Sequence, residues 1–587
     1  LADRTYSADD IDMYKRSVEG DPSVDPNLYP NQSYYDYILR SNAPISQTNF
    51  SASGGTDMVQ YYTNYNYLHQ QANFKGEDLN RVGIDTKIDL TPTEKTKISL
   101  TLNGFKEALE GPSGSGQGIY TAAYTLVPTD DVVFWSDGKR AKTTRGGIPS
   151  DYDKGANNRY RSKLLTTMSV EQELFEGLRV KGVFAYDYAT NFNKNWTEPA
   201  SDYYAINKTT DPYTFDLIES TGKHSLSQSQ PTWNTYTGQG IITYEKVIDQ
   251  HSISMVGVAE VRKSDYRTFS AGRTNYELPI DELNFGSADK DNQSNGGSSS
   301  ESSQLGYVYR LSYNYAEKYL MEVAGRYDGH YYFAPGKKYG FFPAFSLGWR
   351  ISEEPFMDGI DQIYNMKLRT SWGQSGNLAG GPNQYSSSLV LYGNSFPLGN
   401  SSTQGVYASS EGNPDITWEK ANKFNVGVEL ALFDGSVSAE VDYFYETRDN
   451  MLLSPAATVP EEYGIGLGQV NAGKMKNNGI EFLLRGNKRF ASGLNFGLTG
   501  AFTYTHNTLL EIFENPVTAE DPIRSRTGKE LGAYFGLIDN GLFQVEDDKN
   551  GDGIINADDG FPEQLLGGII KPGSIRYEDT NGDGVVD

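Results

Sequence analysis

Arg81-Val82-Gly83-Ile84-Asp85-Thr86-Lys87-Ile88-Asp89-Leu90, a turn at Thr91-Pro92-Thr93-Glu94, then Lys97-Ile98-Ser99-Leu100-Thr101-Leu102-Asn103: the fold class follows from this stretch. Val82, Ile84, Ile88 and Leu90 share one face of an extended chain, and Arg81, Asp85, Lys87 and Asp89 share the other. Successive side chains of a strand point to opposite sides, so the alternation reads as a strand with one apolar face. After the turn Ile98, Leu100 and Leu102 oppose Lys97, Ser99, Thr101 and Asn103. About ten alternating residues is the length a tilted strand needs to cross a bilayer.

The unit recurs along the chain. Met168, Val170 and Leu174 turn at Phe175-Glu176-Gly177 into Leu178, Val180, Phe184, Tyr186 and Tyr188. Tyr236, Ile242 and Tyr244 return through Ile253, Met255 and Val261. The row from Leu305 to Tyr315 turns at Ala316-Glu317-Lys318 into Tyr319, Met321 and Val323. Phe424 to Leu432 turns at Phe433-Asp434-Gly435 into Val437, Val441, Tyr443 and Tyr445, and Ile480, Phe482 and Leu484 return through Leu494 to Tyr504. With two less regular pairs near 46–67 and 343–374, this makes roughly sixteen strands, an even number as bacterial barrels require. The expected fold is all-β, a transmembrane antiparallel β-barrel.

Links alternate between short turns and long loops, the latter near 106–162, 189–233, 262–304, 375–423, 446–479 and 507–587. Short turns facing the periplasm and long loops facing outside is the outer-membrane arrangement, whereas a soluble sandwich does not keep its long links on one end. Ser294 to Ser300 is low in complexity and reads as a flexible loop. Trp135, Trp196, Tyr203 and Tyr204 fall in the long links, either as plain loop residues or as stacking platforms for a polar ligand.

Totals agree with this reading. The chain has 587 residues with 42 Tyr, 62 Gly and no Cys, so thiolate metal sites and disulfide scaffolds are excluded. Mean hydropathy is −0.57 and no run of apolar residues is long enough for a helical span. Abundant Tyr without general hydrophobicity suits aromatic girdles around an apolar band and a polar lumen. A net charge of −25 argues against nucleic acid, whose phosphates need basic patches. Leu1 opens without an initiator Met or an apolar leader, as the interior of a longer precursor does.

Two acidic stretches carry the one metal signal. Asp548, Asn550, Asp552, Gly553, Ile554, Asn556 and Asp559 fill positions of a calcium loop: oxygens at alternate places converge on one ion, Gly permits the bend, and Ile554 offers its carbonyl. Asp579, Asn581, Asp583, Gly584, Val585 and Asp587 begin a second copy. The alternative is an Asx- and Gly-rich turn without an ion. Catalysis finds little support: His69, His224, His251, His330 and His506 are scattered, and Ser113 and Ser115 sit in a Gly-rich run without the nucleophile-elbow pattern.

Several segments resemble the SusC/RagA family of TonB-linked outer-membrane proteins. They are Ser51-Ala52-Ser53-Gly54-Gly55 with Gln60-Tyr61-Tyr62; Arg326-Tyr327-Asp328-Gly329; and Phe342-Pro343 with the run from Ser346 to Phe356. Further on come Leu368 to Gly373 with Gly376-Asn377; Asn413-Pro414-Asp415 with Trp418-Glu419; Asn471 to Glu481; and Lys571 to Tyr577 leading into Asp579-Thr580-Asn581-Gly582-Asp583-Gly584. The resemblance implies a barrel of about twenty-two strands. Residues 1–587 would then be part of a receptor β-barrel domain, with 507–587 a long extracellular acidic loop inside it. A plug and a TonB-box segment would precede Leu1, and about three hairpins would follow Asp587.

What the resemblance implies for function is TonB-dependent import of a large polar nutrient, an oligosaccharide or a peptide, across the bacterial outer membrane. The implied partners are a SusD-like surface lipoprotein, TonB, outer-membrane lipid and the substrate. The rival readings are a passive pore or surface-binding scaffold and, further off, a barrel enzyme. Calcium is the one expected ion, in a structural role.

Overall fold

The computed structural model describes residues 6–114, 116–129, 132–141, 154–398, 401–455, 460–521, 523–564 and 568–586. The chain divides into two compact units, Leu1–Tyr331 with Lys338–Pro343, and Tyr332–Lys337 with Ala344–Asp587. Among the described residues, seventeen strands carry the main antiparallel ladders.

In the first unit the chain begins with helix α1 (Ala8–Val18) and the short α2 (Tyr34–Ile38). Ser7 caps α1: its hydroxyl accepts from the Asp10 amide, while the Asp10 carboxylate accepts from the Ser7 amide, both at 3.0 Å. This reciprocal pair satisfies donors that the first helical turn leaves open. Hairpins follow: β1 (Ile45–Gly55) with β2 (Val59–Gln71), β3 (Asp78–Thr93) with β4 (Thr96–Glu110), and, after helix α3 (Gly116–Tyr124), β5 (Ala156–Phe175) with β6 (Leu178–Thr197). A small hairpin, β7 (Tyr203–Asn207) and β8 (Thr214–Ile218), stands apart from the main sheet. Then come β9 (His224–Ser229), β10 (Thr232–Ile248), β11 (His251–Tyr276), β12 (Gln293–Tyr315) and β13 (Tyr319–His330). Neighbours in sequence are neighbours in the sheet. β9 and β10 lie end to end between β6 and β11, interrupted at Gln230-Pro231 without a change of register.

The second unit holds most of β14 (Tyr339–Arg350), then β15 (Ile363–Asn377), a separate hairpin of β16 (Ser388–Leu398) and β17 (Ser401–Ser410), and β18 (Glu419–Leu432), β19 (Val437–Leu453), β20 (Val470–Arg489) and β21 (Asn495–Glu511). Each main strand again pairs antiparallel with the next. After helix α4 (Pro516–Glu520), the last link carries only short strands: β22 (Asp539–Leu542), β23 (Glu563–Gln564), β24 (Ile575–Tyr577) and β25 (Val585–Val586).

The ladders keep the apolar rows in line. Leu100 faces Met168, which faces Phe184, and Tyr186 faces Tyr236. Met255 faces Leu311, which faces Val323. In the second unit Val426 faces Tyr443, Tyr443 faces Ile480, and Ile480 faces Tyr504. A slip of one residue would send every such side chain to the opposite face, so the pattern pins the register. Turn chemistry supports it. Gly177 sits at φ 86°, where an added Cβ would meet the Glu245 carbonyl oxygen at 2.1 Å. Ala316 and Glu317 hold φ of 53° and 57° without glycine, a conformation L-residues adopt only at a cost.

Two expectations need correction. The strands exceed the roughly ten residues of a crossing: β11 has 26 residues and β12 has 23. At about 3.4 Å per residue, β11 is roughly 85 Å long, against an apolar band of about 25 Å. Ser294 to Ser300 is therefore strand rather than flexible loop, with Ser298 opposite Thr268 and Gly296 opposite Ser270. Its serines lack an apolar row of their own, and β11 supplies the register.

Candidate functional site

On the outward rows, large apolar side chains are bare: Phe184 is 54% exposed and Phe502 62%. Along β11 the outward row runs Ile253, Met255, Gly257, Ala259 and Val261, then changes at Lys263 and Asp265. Lys263 Nζ pairs there with Glu301 at 3.1 Å and Asp265 at 3.7 Å. From Ile253 to Val261 is about 27 Å along the strand, or roughly 19 Å of height at a 45° tilt, which fits within an apolar band of about 25 Å, and the row ends in an ionic belt.

The opposite rows are ionic. In the first unit Lys181 pairs with Glu171 at 3.7 Å, Lys163 with Asp187 at 3.3 Å, and Arg310 with Glu322 at 2.8 Å. Arg326 grips Asp328 through Nε and Nη2 at 2.8 and 2.9 Å. In the second unit Arg369 Nη2 reaches Asp442 Oδ2 at 2.7 Å, and Lys367 reaches Glu429 at 3.3 Å. Arg369 Nε lies 3.0 Å from Glu429 Oε1 as an ion pair without hydrogen-bond alignment. Glycines make room for this layer: a Cβ on Gly427 would meet Asp442 Oδ1 at 2.3 Å. Charged rows of this kind suit a water-filled or protein-filled interior and would be costly against lipid.

The links of the first unit are ordered by their own core. Tyr34 and Ile38 pack with Ile119, Ala123, Leu126 and Val133. Asn27 is buried and ties three links: its Nδ2 donates to Ser136 Oγ at 2.7 Å and to the Tyr213 hydroxyl at 3.0 Å, and its Oδ1 accepts from the Ser136 amide at 2.9 Å. Trp135 is only 5% exposed, donates from Nε1 to the Tyr204 carbonyl at 2.7 Å, and lies 5.2 Å from the Phe215 ring. Trp196, equally buried, packs with Leu226 and Tyr276 and stacks on His224. Neither Trp is a free platform. Trp135 holds the links in place, while Trp196, expected in a loop, lies in β6 and packs the ends of β6, β9 and β11 together; sequence neighbourhood did not reveal these roles because the partners come from distant segments.

The two acidic loops repeat one hydrogen-bond pattern. Asp548 Oδ1 and Oδ2 accept from the Gly551 and Gly553 amides, each at 2.8 Å; Asp579 accepts likewise from Gly582 at 2.7 Å and Gly584 at 2.8 Å. Asn550 Oδ1 accepts from the Asp552 amide at 3.0 Å, Asp552 Oδ1 from Ile554 at 2.8 Å, Asn581 Oδ1 from Asp583 at 2.9 Å, and Asp583 Oδ1 from Val585 at 2.9 Å. Asn556 Oδ1 takes the Asp558 amide at 2.7 Å. Asp559 is buried and closes the first loop, accepting from the Lys549 amide at 2.8 Å and the Asn556 amide at 3.2 Å. Burial works to raise the Asp559 carboxyl, but the Asn556, Lys549 and Asn550 amides outweigh it and hold it below the usual range. The Gly584 amide does most to lower Asp579. Each carboxylate oxygen keeps a second lone pair, so the donor set suits a hard cation. Among the described residues, however, no three carboxylate or imidazole side chains already stand together as a metal site. Asp587 lies outside the described residues.

The histidines find structural partners. His69 Nδ1 lies 2.9 Å from Asn80 Oδ1, His251 Nδ1 2.7 Å from the Tyr313 hydroxyl, and His506 Nδ1 2.7 Å from Glu530 Oε1. Thr508 Oγ1 lies 3.4 Å from His506 Nε2. The exposed His506–Glu530 contact links β21 to the segment after it.

Comparison with known proteins agrees with this two-faced sheet. Residues 101–533 match the family described as TonB dependent receptor-like, beta-barrel. The chain belongs to this family. Its members are outer-membrane transporters rather than enzymes. Among curated relatives, TonB-dependent receptor P26 of Formosa agariphila is 25% identical over 575 residues, covering 96% of this chain and 55% of the relative. TonB-dependent receptor SusC of Bacteroides thetaiotaomicron is 25% identical over 297 residues, covering 48% of this chain and 27% of the relative. The chain thus spans about half the length of the curated receptors it matches most fully. The solved RagAB peptide importer in its closed-closed state shares the fold at a TM-score of 0.76 and 17% identity, covering 98% of this chain and 62% of that one. The expected class, an all-β antiparallel TonB-dependent barrel of SusC/RagA type, is the class found.

Proposed function

We propose that this chain forms the wall of an importer that moves a large polar nutrient across the outer membrane, driven through TonB and worked together with a SusD-like surface lipoprotein. The observation that carries the reading is the two-faced sheet: bare apolar rows on one side, and ion-paired rows such as Arg326–Asp328 and Arg369–Asp442 on the other. Likeness to SusC and to the RagAB peptide importer supports an oligosaccharide or a peptide as the cargo. The ordered platform of α1, α2, α3 and the β7–β8 hairpin offers a firm surface for a partner. Uptake of labelled nutrient by cells carrying the complete receptor decides against a passive pore. Collapse of the inner-membrane proton gradient should stop an importer and leave a pore running.

Calcium in the loop 548–559 is proposed alongside it, with Asp548, Asn550, Asp552, Asn556 and Asp559 as side-chain ligands and Ile554 through its carbonyl. Asp579, Asn581, Asp583, Val585 and Asp587 would begin the second site. Alternate oxygens around Gly551 and Gly553, whose φ values are 74° and 82°, support the proposal. Isothermal titration of the complete receptor should show calcium binding that Asp552→Ala weakens at least tenfold. Equal binding by both proteins would leave the loop a turn.

A further inference from the structure

High on β6, β9, β11 and β12, four strands bring their small polar residues to one face. Asn193 and Asn195 lie opposite Ser229 and Ser227, Ser229 lies opposite Ser270, and Gly272 lies opposite Ser294. All of these except Gly272 line a cavity of about 310 Å³, at the lower end of the range for small-ligand sites, and none of its lining residues is charged. Register places it. The ladders of β5 with β6 and of β11 with β12 run without irregularity past this level. Asn193 and Asn195 therefore share the face of Lys181 and Asp187, and Ser270 shares that of Glu260. The cavity sits on the ionic face, and Ser270 is nine residues beyond Val261, where the apolar outward row of β11 ends, or about 30 Å along the strand.

Lower on the same face the walls are ion pairs; here they are hydroxyls and amides. Their hydrogen bonds to one another are few and long: Asn193 Nδ2 to Ser229 Oγ at 3.2 Å, and Ser270 Oγ to the Gly296 carbonyl at 3.4 Å. Asn195 donates to Thr197 Oγ1 at 3.4 Å, while its Oδ1 has no partner among the described residues. Glycine keeps the space open, since a Cβ on Gly272 would stand 2.7 Å from Ser294 Oγ. Arg159, opposite Asn193 on β5, is the charged neighbour at the margin.

We infer that this cleft is a subsite for an uncharged, hydroxyl-bearing segment of the cargo, and that it selects against sulfated, carboxylated or cationic groups. Hydroxyls and amides both donate and accept, as a polyol does, so each sugar hydroxyl finds a partner in either direction. A charged group pressed into the same wall leaves water for a lining that carries no charge of its own, since Arg159 stands exposed at the margin and outside that lining, and desolvation of an unpaired charge is strongly unfavourable. The inference rests on the import reading and adds which cargo chemistry the wall accepts.

The test uses the complete receptor purified from its membrane, with isothermal titration of neutral hexose hexamers of several linkages, hexagalacturonate and a hexalysine peptide. At least one neutral hexamer should bind, at least tenfold more tightly than either charged probe. Ser270→Phe, which fills the cleft, and Asn195→Asp, which adds one charge at constant shape, should each weaken that binding at least tenfold, with the melting temperature unchanged. Equal binding by parent and both variants, tighter binding of a charged probe, or no binding of any neutral hexamer would overturn the subsite. Gradient-driven uptake measured in the same cells separates the two readings: uptake that persists in any of these three cases leaves the importer standing without this cleft, and its absence removes both.

Discussion

Phe184→Arg and Val183→Arg, made one at a time in the complete receptor, test which face meets lipid. Phe184 sits on the outward row of β6, beside Met168 of β5 and Gly238 of β10, and is 54% exposed. The apolar row there runs from Leu178 to Tyr188, about 34 Å along the strand and roughly 24 Å in height at a 45° tilt. Phe184 is six residues from one end and four from the other, close to mid-bilayer. An arginine there should cost about 2–4 kcal/mol. Val183, its immediate neighbour, lies opposite Ser169 and Gln239 and shares the face of Lys181 and Asp187. The same substitution there should cost less than about 1 kcal/mol, because the guanidinium stays among polar groups. Equilibrium urea unfolding in phospholipid vesicles, followed by tryptophan fluorescence, reads both. If Val183→Arg costs as much as Phe184→Arg, the face assignment is wrong; if neither costs more than about 0.5 kcal/mol, the sheet does not sit in lipid.

Trp135→Ala should loosen the link platform by about 3–5 kcal/mol, since a buried ring and its hydrogen bond to Tyr204 both go. Hydrogen exchange should rise around residues 204 and 215 while the ladders of β3 to β6 stay protected; unchanged exchange would show that the tryptophan is dispensable. Glu514 accepts from the Thr527 hydroxyl, from the Arg526 amide at 2.6 Å and from the Thr527 amide at 3.1 Å, and the Thr527 hydroxyl does most to hold its carboxyl below the ordinary value. A depressed folded pKa stabilises above the ordinary carboxylate value, about 4.3, and that contribution disappears as pH falls through the folded value. Protection of the Arg526 and Thr527 amides should therefore drop on acidification below about pH 4.3, and Glu514→Gln should flatten that dependence.

Alternation made the membrane-crossing part legible, because period two is a local property and each hairpin displays it without help from the rest. Val82, Ile84, Ile88 and Leu90 would read the same in any context. Strand ends were another matter. On β11 the apolar row stops at Val261, and the next fifteen residues carry Lys263, Asp265, Arg267 and Arg273, which read as loop. They stay extended because β12 and β9 supply partners for their backbone groups. A serine run has no moment of its own, so its strand is visible only through the neighbour that fixes it. The helices of the links escaped for a related reason: α1 is signed by Ser7 and Asp10, but α2 and α3 are short and gain their order from each other.

The site was less legible than the fold because its specificity is written across strands. Asp548, Asn550 and Asp552 lie within one short loop, so a spacing rule finds them whether or not an ion binds. The cleft on the inner face gathers Asn195, Ser229, Ser270 and Ser294 from four strands, and no window along the chain joins them. Each of those residues alone is ordinary strand or loop composition. Only register shows that they share a face with Lys181, Asp187 and Glu260 and yet carry no charge. A barrel wall can thus change its selectivity by exchanging serine and asparagine for charged residues above the apolar band, while the outward rows that hold it in lipid stay the same. With the cleft as proposed, fold and cargo choice are carried by opposite faces of the same strands, which is why one can be read from period two and the other needs the pairing.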